Sequence, residues 1–189
     1  MLILGSKSPR RKEILESMGI DFKIIIKDVE ENIKCDDYLE YPKLTALKKA
    51  LALVNEVSNE DIILCCDTIV YAKGKILGKP NNLEEAYQMI KDIQDDYHYV
   101  VTGVFLGNKE KAYNLSVSTK VIVSAMNDEE ILEYVKSPEP YDKAGGYAIQ
   151  GLFGKFIEGI EGDYYNVVGL PINTINKLLK EFVRMKDEE

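Results

Sequence analysis

The sequence predicts an α/β fold built on a mixed, twisted sheet with flanking helices, and three observations predict it. Apolar runs such as Leu2-Ile3-Leu4 and Ile62-Ile63-Leu64-Cys65-Cys66 read as strands buried on both faces. The segments from Tyr97 to Leu106 and from Lys111 to Ser124 are β-rich and separated by Gly107-Asn108, which predicts antiparallel pairing. Between such segments lie stretches whose apolar residues recur at spacings of three and four, as amphipathic helices require. Strands of both kinds interleaved with helices give a mixed sheet.

The elements follow in order. Leu2 to Leu4 is the first strand; Ser8 then N-caps a helix with Pro9 at its first position, apolar residues at Ile14, Leu15 and Met18, and Gly19 just past its end. Phe22 to Ile26 is a second strand, and the acidic stretch from Asp28 to Asp37 has no periodicity and reads as a loop. Tyr41 to Asn55 is an amphipathic helix through Leu44, Leu47, Leu51 and Val54. Asn82 with Glu85 opens a helix that runs through Ile93, and Asn127 with Glu130 opens another that ends near Lys136. Ser137 to Gly154 is rich in Gly and Pro. Phe156 to Ile160 and Tyr164 to Val168 read as a hairpin about Glu161-Gly162, and Pro171 begins a helix with Ile172, Ile175, Leu179 and Phe182 inward.

At 189 residues the chain is expected to form a single domain over 1–189. Hydrophobic residues at 46% and charged residues at 30% are ordinary globular values. A net charge of −8 argues against an extended nucleic-acid partner, which would need a basic face. No apolar run approaches the roughly 18 residues that span a bilayer, and Met1-Leu2-Ile3-Leu4 meets Gly5 too soon for a signal-peptide core. Cys35, Cys65 and Cys66 are poorly placed for a disulfide or a zinc site, so a reducing cytoplasm is the expected location.

Ser6-Lys7-Ser8-Pro9-Arg10-Arg11 lies between a strand and a helix N-terminus, where free amides and the dipole attract phosphate and two guanidinium groups add bidentate recognition. Spacing alone favours the plainer reading, a solvated basic helix start. Asp67 is the stronger signal. An ionised carboxylate within an apolar strand needs a cation, a metal or hydrogen-bond donors, although the strand could instead end at Cys66 with Asp67 capping a turn. Gly74 to Pro80 is one residue short of a P-loop and carries Pro80 where Ser or Thr would hold magnesium. Glu30-Glu31 could supply a metal ligand or be surface charge. His98 has no nucleophile motif beside it and reads as structural. Tyr147, Tyr164 and Tyr165 could stack a base or pack in the core.

Taken in order, Ser6-x-Ser8-Pro9-Arg10-Arg11, Lys49-Ala50, Asp67-Thr68-Ile69-Val70, Leu77-Gly78-Lys79-Pro80, His98-x-Val100-x-Thr102-Gly103-Val104, the segment Asp142 to Gly151, and Asn166-Val167-Val168-Gly169-Leu170-Pro171 resemble the Maf family of nucleotide pyrophosphatases. Gly5 and Lys7 stand where the family has alanine, as does Cys66, and Gly146 and Ala148 replace Ala and Gly. The resemblance implies two lobes around a nucleotide cleft, as in inosine triphosphate pyrophosphatases, and a homodimer. It implies that Asp67 accepts a proton, that Ser8, Arg11, Lys49 and Lys79 bind the triphosphate, and that Glu31 with Asp67 holds a divalent cation, Mg2+ or Mn2+. Arg10, Thr68 and Gln150 match the specificity positions of the branch that acts on dTTP and UTP. The implied reaction releases pyrophosphate and leaves a monophosphate. The rival expectation is a nucleotide-binding regulator of septum formation with little turnover.

Overall fold

In the computed structural model, which describes residues 1–31 and 33–186, β1 (Leu2–Leu4) lies between two parallel neighbours, β2 (Phe22–Ile24) and β3 (Ile62–Ala72). All of β1 is buried, with Leu4 opposite both Ile24 and Leu64. The remaining strands are β4 (Lys75–Leu77), β5 (Asp96–Gly107), β6 (Ala112–Val123) and β7 (Ile157–Glu161). The sheet order is β2-β1-β3-β5-β6-β7, with β4 antiparallel on β3 so that Val70 faces Leu77. Asn108 closes the link between β5 and β6, its N–H donating to the Lys111 carbonyl and its Oδ1 accepting from Glu110 and Lys111. Parallel pairs at one end and antiparallel pairs at the other make the sheet mixed, as expected.

The helices are α1 (Pro9–Ser17), α2 (Glu40–Leu53), α3 (Leu83–Ile93), α4 (Asp128–Val135), α5 (Tyr164–Val168) and α6 (Ile172–Lys186). Two of the three expected caps form through the side chain, since Asn82 Oδ1 accepts from Glu85 N and Asn127 with Glu130 completes a reciprocal capping box, whereas Ser8 stands at the N-cap of α1 without a side-chain bond. Among the described residues no helix is long and apolar enough to cross a membrane.

The chain divides into two compact units. The first comprises Met1–Asp67, Thr102–Val117 and the chain from Gly169 on; the second comprises Thr68–Val101 and Ser118–Val168. The strands β3, β5 and β6 each contribute residues to both. The core of the second unit gathers Ile90, Ile93, Ile131, Tyr134, Tyr147 and Phe153. That of the first gathers Ala46, Ala50, Leu53, Ile63, Cys65 and Phe105.

Three details differ from the sequence reading. In α2 the buried face is Pro42, Thr45, Ala46, Ala50 and Leu53, while Leu44 and Leu51 are 37% and 60% exposed. Small residues win there because the helix lies against β5: a Cβ on Gly103 would meet the Pro42 carbonyl carbon and oxygen at 2.1 Å. Tyr164 to Val168 is helix α5 rather than the second arm of a hairpin, because Asp163 Oδ1 accepts from the amides of Tyr165 (2.8 Å) and Asn166 (3.4 Å) and so caps a helix start. β7 pairs with β6 instead, Ile160 opposite Val121. In α6 the inward residue is Leu178 rather than Leu179, alongside Ile172, Ile175 and Phe182. Steps of three, three and four keep those side chains on one face of the helix.

Candidate active site

Asp67 lies on β3, one residue beyond the buried pair Cys65-Cys66, with its side chain 14% exposed. Burying a carboxylate this far requires a counter-charge. Lys49 of α2 supplies it, with Nζ 2.7 Å from Asp67 Oδ1. The same ammonium lies 2.8 Å from Glu31 Oε1, on the acidic loop. Burial pushes the Asp67 carboxyl above its ordinary range; Lys49 and then Arg11 pull against that rise, and Glu31 adds to it. Burial by itself would lower Lys49, but Asp67 and Glu31 outweigh it and raise its proton affinity. The ammonium therefore stays charged while the carboxylate becomes a stronger base than a free aspartate.

Arg11 lies on α1 in the same unit. Its Nε donates to the Gly169 carbonyl at 2.8 Å, and Nη1 donates to Ser6 Oγ at 3.1 Å. Ser6 Oγ also accepts from the Ser8 amide at 3.2 Å, so one buried hydroxyl ties the guanidinium to the turn before α1. Ser8 occupies the N-cap position of α1 but its side chain makes no capping bond. Arg10 is half-buried at the second position of the helix.

Glu31, Lys49 and Asp67 are thus brought together, with Ser8, Arg10 and Arg11 in the same unit. Thr68, Lys79 and Gln150 belong to the second unit. Lys79 is exposed and follows Gly78, whose carbonyl accepts from the Gly145 amide at 2.9 Å. Gly145 and Gly146 turn through φ of 69° and 73°. Gln150 is exposed within the turn closed by Gly151 N and the Ala148 carbonyl at 3.3 Å.

Two carboxylates converging on one ammonium suit a hard divalent cation, which commonly takes one or two protein carboxylates and completes its shell with phosphate oxygens and water. Among the described residues no group of three or more His, Cys, Asp or Glu could hold a metal by itself. Ligand oxygens would have to supply the rest.

A family model described as Maf-like protein matches residues 1–182. The chain belongs to the Maf-like protein family. A dTTP/UTP pyrophosphatase from Clostridium botulinum (strain Eklund 17B / Type B) is 44% identical over 186 residues, covering 96% of this chain and 99% of that protein. One from Thermoanaerobacter sp. (strain X514) is 41% identical, covering 95% of each. One from Bacillus cereus (strain G9842) is 44% identical, covering 96% of this chain and 95% of its own length. Among solved structures, the Staphylococcus aureus Ham1 protein overlaps 65% of this chain and 71% of its own at a TM-score of 0.46 and 11% identity.

Several residues of this Maf-like site carried no role in the sequence reading. Tyr41 stands two helical turns before Lys49 on α2, and burial followed by the charges of Asp67 and Glu31 raises its phenol. The spacing Tyr41-Thr45-Lys49 is the signal that points to it. Ser6 and the Gly169 carbonyl hold Arg11; Ser6 stood in a recognised motif, whereas a carbonyl contact across 158 positions leaves no trace in sequence. The Maf-like departure at Gly5 has a steric reason, since a Cβ there would lie 2.4 Å from Cys65 Sγ and 2.7 Å from Leu53 Cδ1.

Of the other residues that the sequence singles out, His98, Tyr147, Cys65 and Cys66 are buried. His98 is buried, with Nε2 2.6 Å from the Tyr147 hydroxyl, and burial pulls its pKa down to about 4. Tyr147 is itself buried between His98 and Phe153, which leaves no open ring face for a base. The cysteines are free thiols, and burial pushes Cys65 up to about 12 and Cys66 to about 11, which makes both poor nucleophiles.

Proposed function

We propose that this chain is a nucleoside triphosphate pyrophosphatase that hydrolyses dTTP and UTP to the monophosphate and pyrophosphate. The observation that carries the reading is the buried Asp67 carboxylate held at 2.7 Å by Lys49, with Glu31 on the same ammonium. Near-full-length likeness to proteins named dTTP/UTP pyrophosphatase supplies the substrate class.

The residues divide the work. Asp67 orients a water for attack at the α–β phosphate linkage and accepts its proton. Lys49 and Arg11 neutralise charge on the phosphates, Arg11 with its fork already oriented by Ser6 and Gly169. Ser8 and Lys79 add contacts at the phosphate end. Glu31 and Asp67 would hold a divalent cation, Mg2+ or Mn2+, which would supply charge neutralisation and lower the pKa of a water it binds. Arg10, Thr68 and Gln150 select the base. Gln150 suits a pyrimidine because its amide both donates and accepts across the O4 and N3 edge.

Residence in a reducing cytoplasm, supported by the free thiols, and a homodimeric assembly belong to the same reading. The deciding experiment incubates the protein with a nucleotide panel and Mg2+ or Mn2+ and identifies the first phosphorus product. Pyrophosphate from dTTP and UTP, abolished by excess EDTA, is expected. Orthophosphate as first product, full activity in EDTA, or nucleotide binding without turnover would overturn it.

A further inference from the structure

The segment that carries Gln150 is anchored by Glu139, a residue with no part in the contacts proposed so far. Glu139 begins a 3-10 turn (Glu139–Asp142) in the second unit. Its carboxylate accepts from two successive amides, Leu152 N at 2.7 Å and Phe153 N at 3.2 Å, at the start of the turn Leu152–Phe156. The Tyr134 hydroxyl adds a third bond at 3.0 Å and also lies 3.1 Å from the Gly146 carbonyl, so its single proton is shared between the two acceptors.

Between Gln150 and these amides stands Gly151, with φ of −128°, a conformation open to any residue. The requirement for glycine is spatial: a Cβ there would lie 2.1 Å from Glu139 Oε2. The carboxylate fills the volume that a side chain would need. Below the turn Phe153 is fully buried, its ring 4.8 Å from that of Tyr147 and 5.1 Å from that of Tyr134. Only a carboxylate offers two acceptor oxygens and no donor, so an amide at 139 would turn an N–H2 toward a backbone N–H.

We propose that Glu139 is a positioning residue for base selection, its carboxylate fixing the Ala148–Gly151 turn and with it the direction from which Gln150 meets a pyrimidine base. This rests on the reading of Gln150 as a base contact. Glu139 acts through Gln150 and touches no reacting atom.

The test compares wild type, Glu139→Gln, Gly151→Ala, Gln150→Ala and the double variant Glu139→Gln/Gln150→Ala. It measures kcat/KM for dTTP and for 7-methylguanosine triphosphate, with hydrogen exchange at the Leu152 and Phe153 amides. Glu139→Gln should speed exchange at both amides and reduce the preference for dTTP by about tenfold, mainly through KM, the scale of one charge-assisted hydrogen bond left unmade. Gly151→Ala, which keeps the carboxylate but takes its space, should do the same, and it carries the test if the Gln variant does not fold. In the double variant the preference should fall no further than in Gln150→Ala. Faster exchange with an unchanged preference in Glu139→Gln, or additive losses in the double variant, would overturn the role of Glu139. An unchanged preference in Gln150→Ala would instead remove Gln150 as the base reader, and that result is independent of the amide exchange.

Discussion

Lys49 Nζ lies 2.7 Å from Asp67 Oδ1, an ion pair between helix α2 and strand β3 at the one carboxylate in the β3 sequence. The ammonium also holds Glu31, so removing either end of the Lys49–Asp67 pair has unequal consequences.

Asp67→Asn leaves Lys49 paired with Glu31 and removes the proton acceptor. Turnover should fall by about 10²–10⁴ while the fold is retained, the usual scale for losing a general base. Steady-state kinetics on dTTP, with circular dichroism as the control for folding, checks this; wild-type turnover in the folded variant would remove Asp67 from the mechanism.

Lys49→Met does the reverse, leaving a largely buried carboxylate with its main counter-charge gone. It should destabilise the protein by roughly 2–4 kcal/mol, more than Asp67→Asn does, because an uncompensated buried charge is worse than a neutral amide beside a lysine that keeps another partner. Urea unfolding of both variants is the measurement, and equal losses would contradict the geometry.

Gly103→Ala drives a methyl group into the Pro42 carbonyl at the α2–β5 contact. Backbone cannot move aside as a side-chain end can, so a loss of about 1–3 kcal/mol or more is expected. A thermal unfolding midpoint equal to that of wild type would show that α2 does not approach β5 this closely.

Gln150→Glu should cost pyrimidine selectivity more than phosphate binding, since a polar group covered by the bound base and left without its hydrogen-bond partner costs about 1–3 kcal/mol. The ratio of kcat/KM for dTTP and UTP to that for 7-methylguanosine triphosphate is compared in the two proteins. An identical ratio would leave Gln150 without a part in reading the base.

His98 makes stability pH-dependent. Its folded pKa of about 4 lies below the unfolded value, so the unfolded chain binds the proton first as pH falls. The contribution is complete above about pH 6.5 and is lost progressively down to about pH 4, by at most roughly 3 kcal/mol. His98→Gln should remove this slope, read as the difference between the two proteins' urea unfolding energies across pH 4–7. A difference that stays flat with pH would mean that His98 is not buried as a neutral ring.

Much of the local chemistry is legible in the order of residues alone. Asn82 and Asn127 mark their helices as side-chain N-caps, Ser8-Pro9 and Gly19 bound α1, and Asp67 stands out because a carboxylate breaks an apolar strand. Each of these signals acts over a few residues, which is why it survives in one dimension. The motif order also pointed to the Maf-like family before any contact was visible. Other features arise only from packing between distant segments. Leucine spacing put the wrong face of α2 inward, because what sets that face is a glycine on a strand some sixty positions away. Tyr164 to Val168 has the composition of a strand, yet the Asp163 cap makes it a helix once β7 has taken the place beside β6. Lys49 as the partner of Asp67, Ser6 and Gly169 as the holders of Arg11, and Glu139 beneath the Gln150 turn are long-range contacts. Their energies depend on burial and geometry that arise only when distant segments pack together.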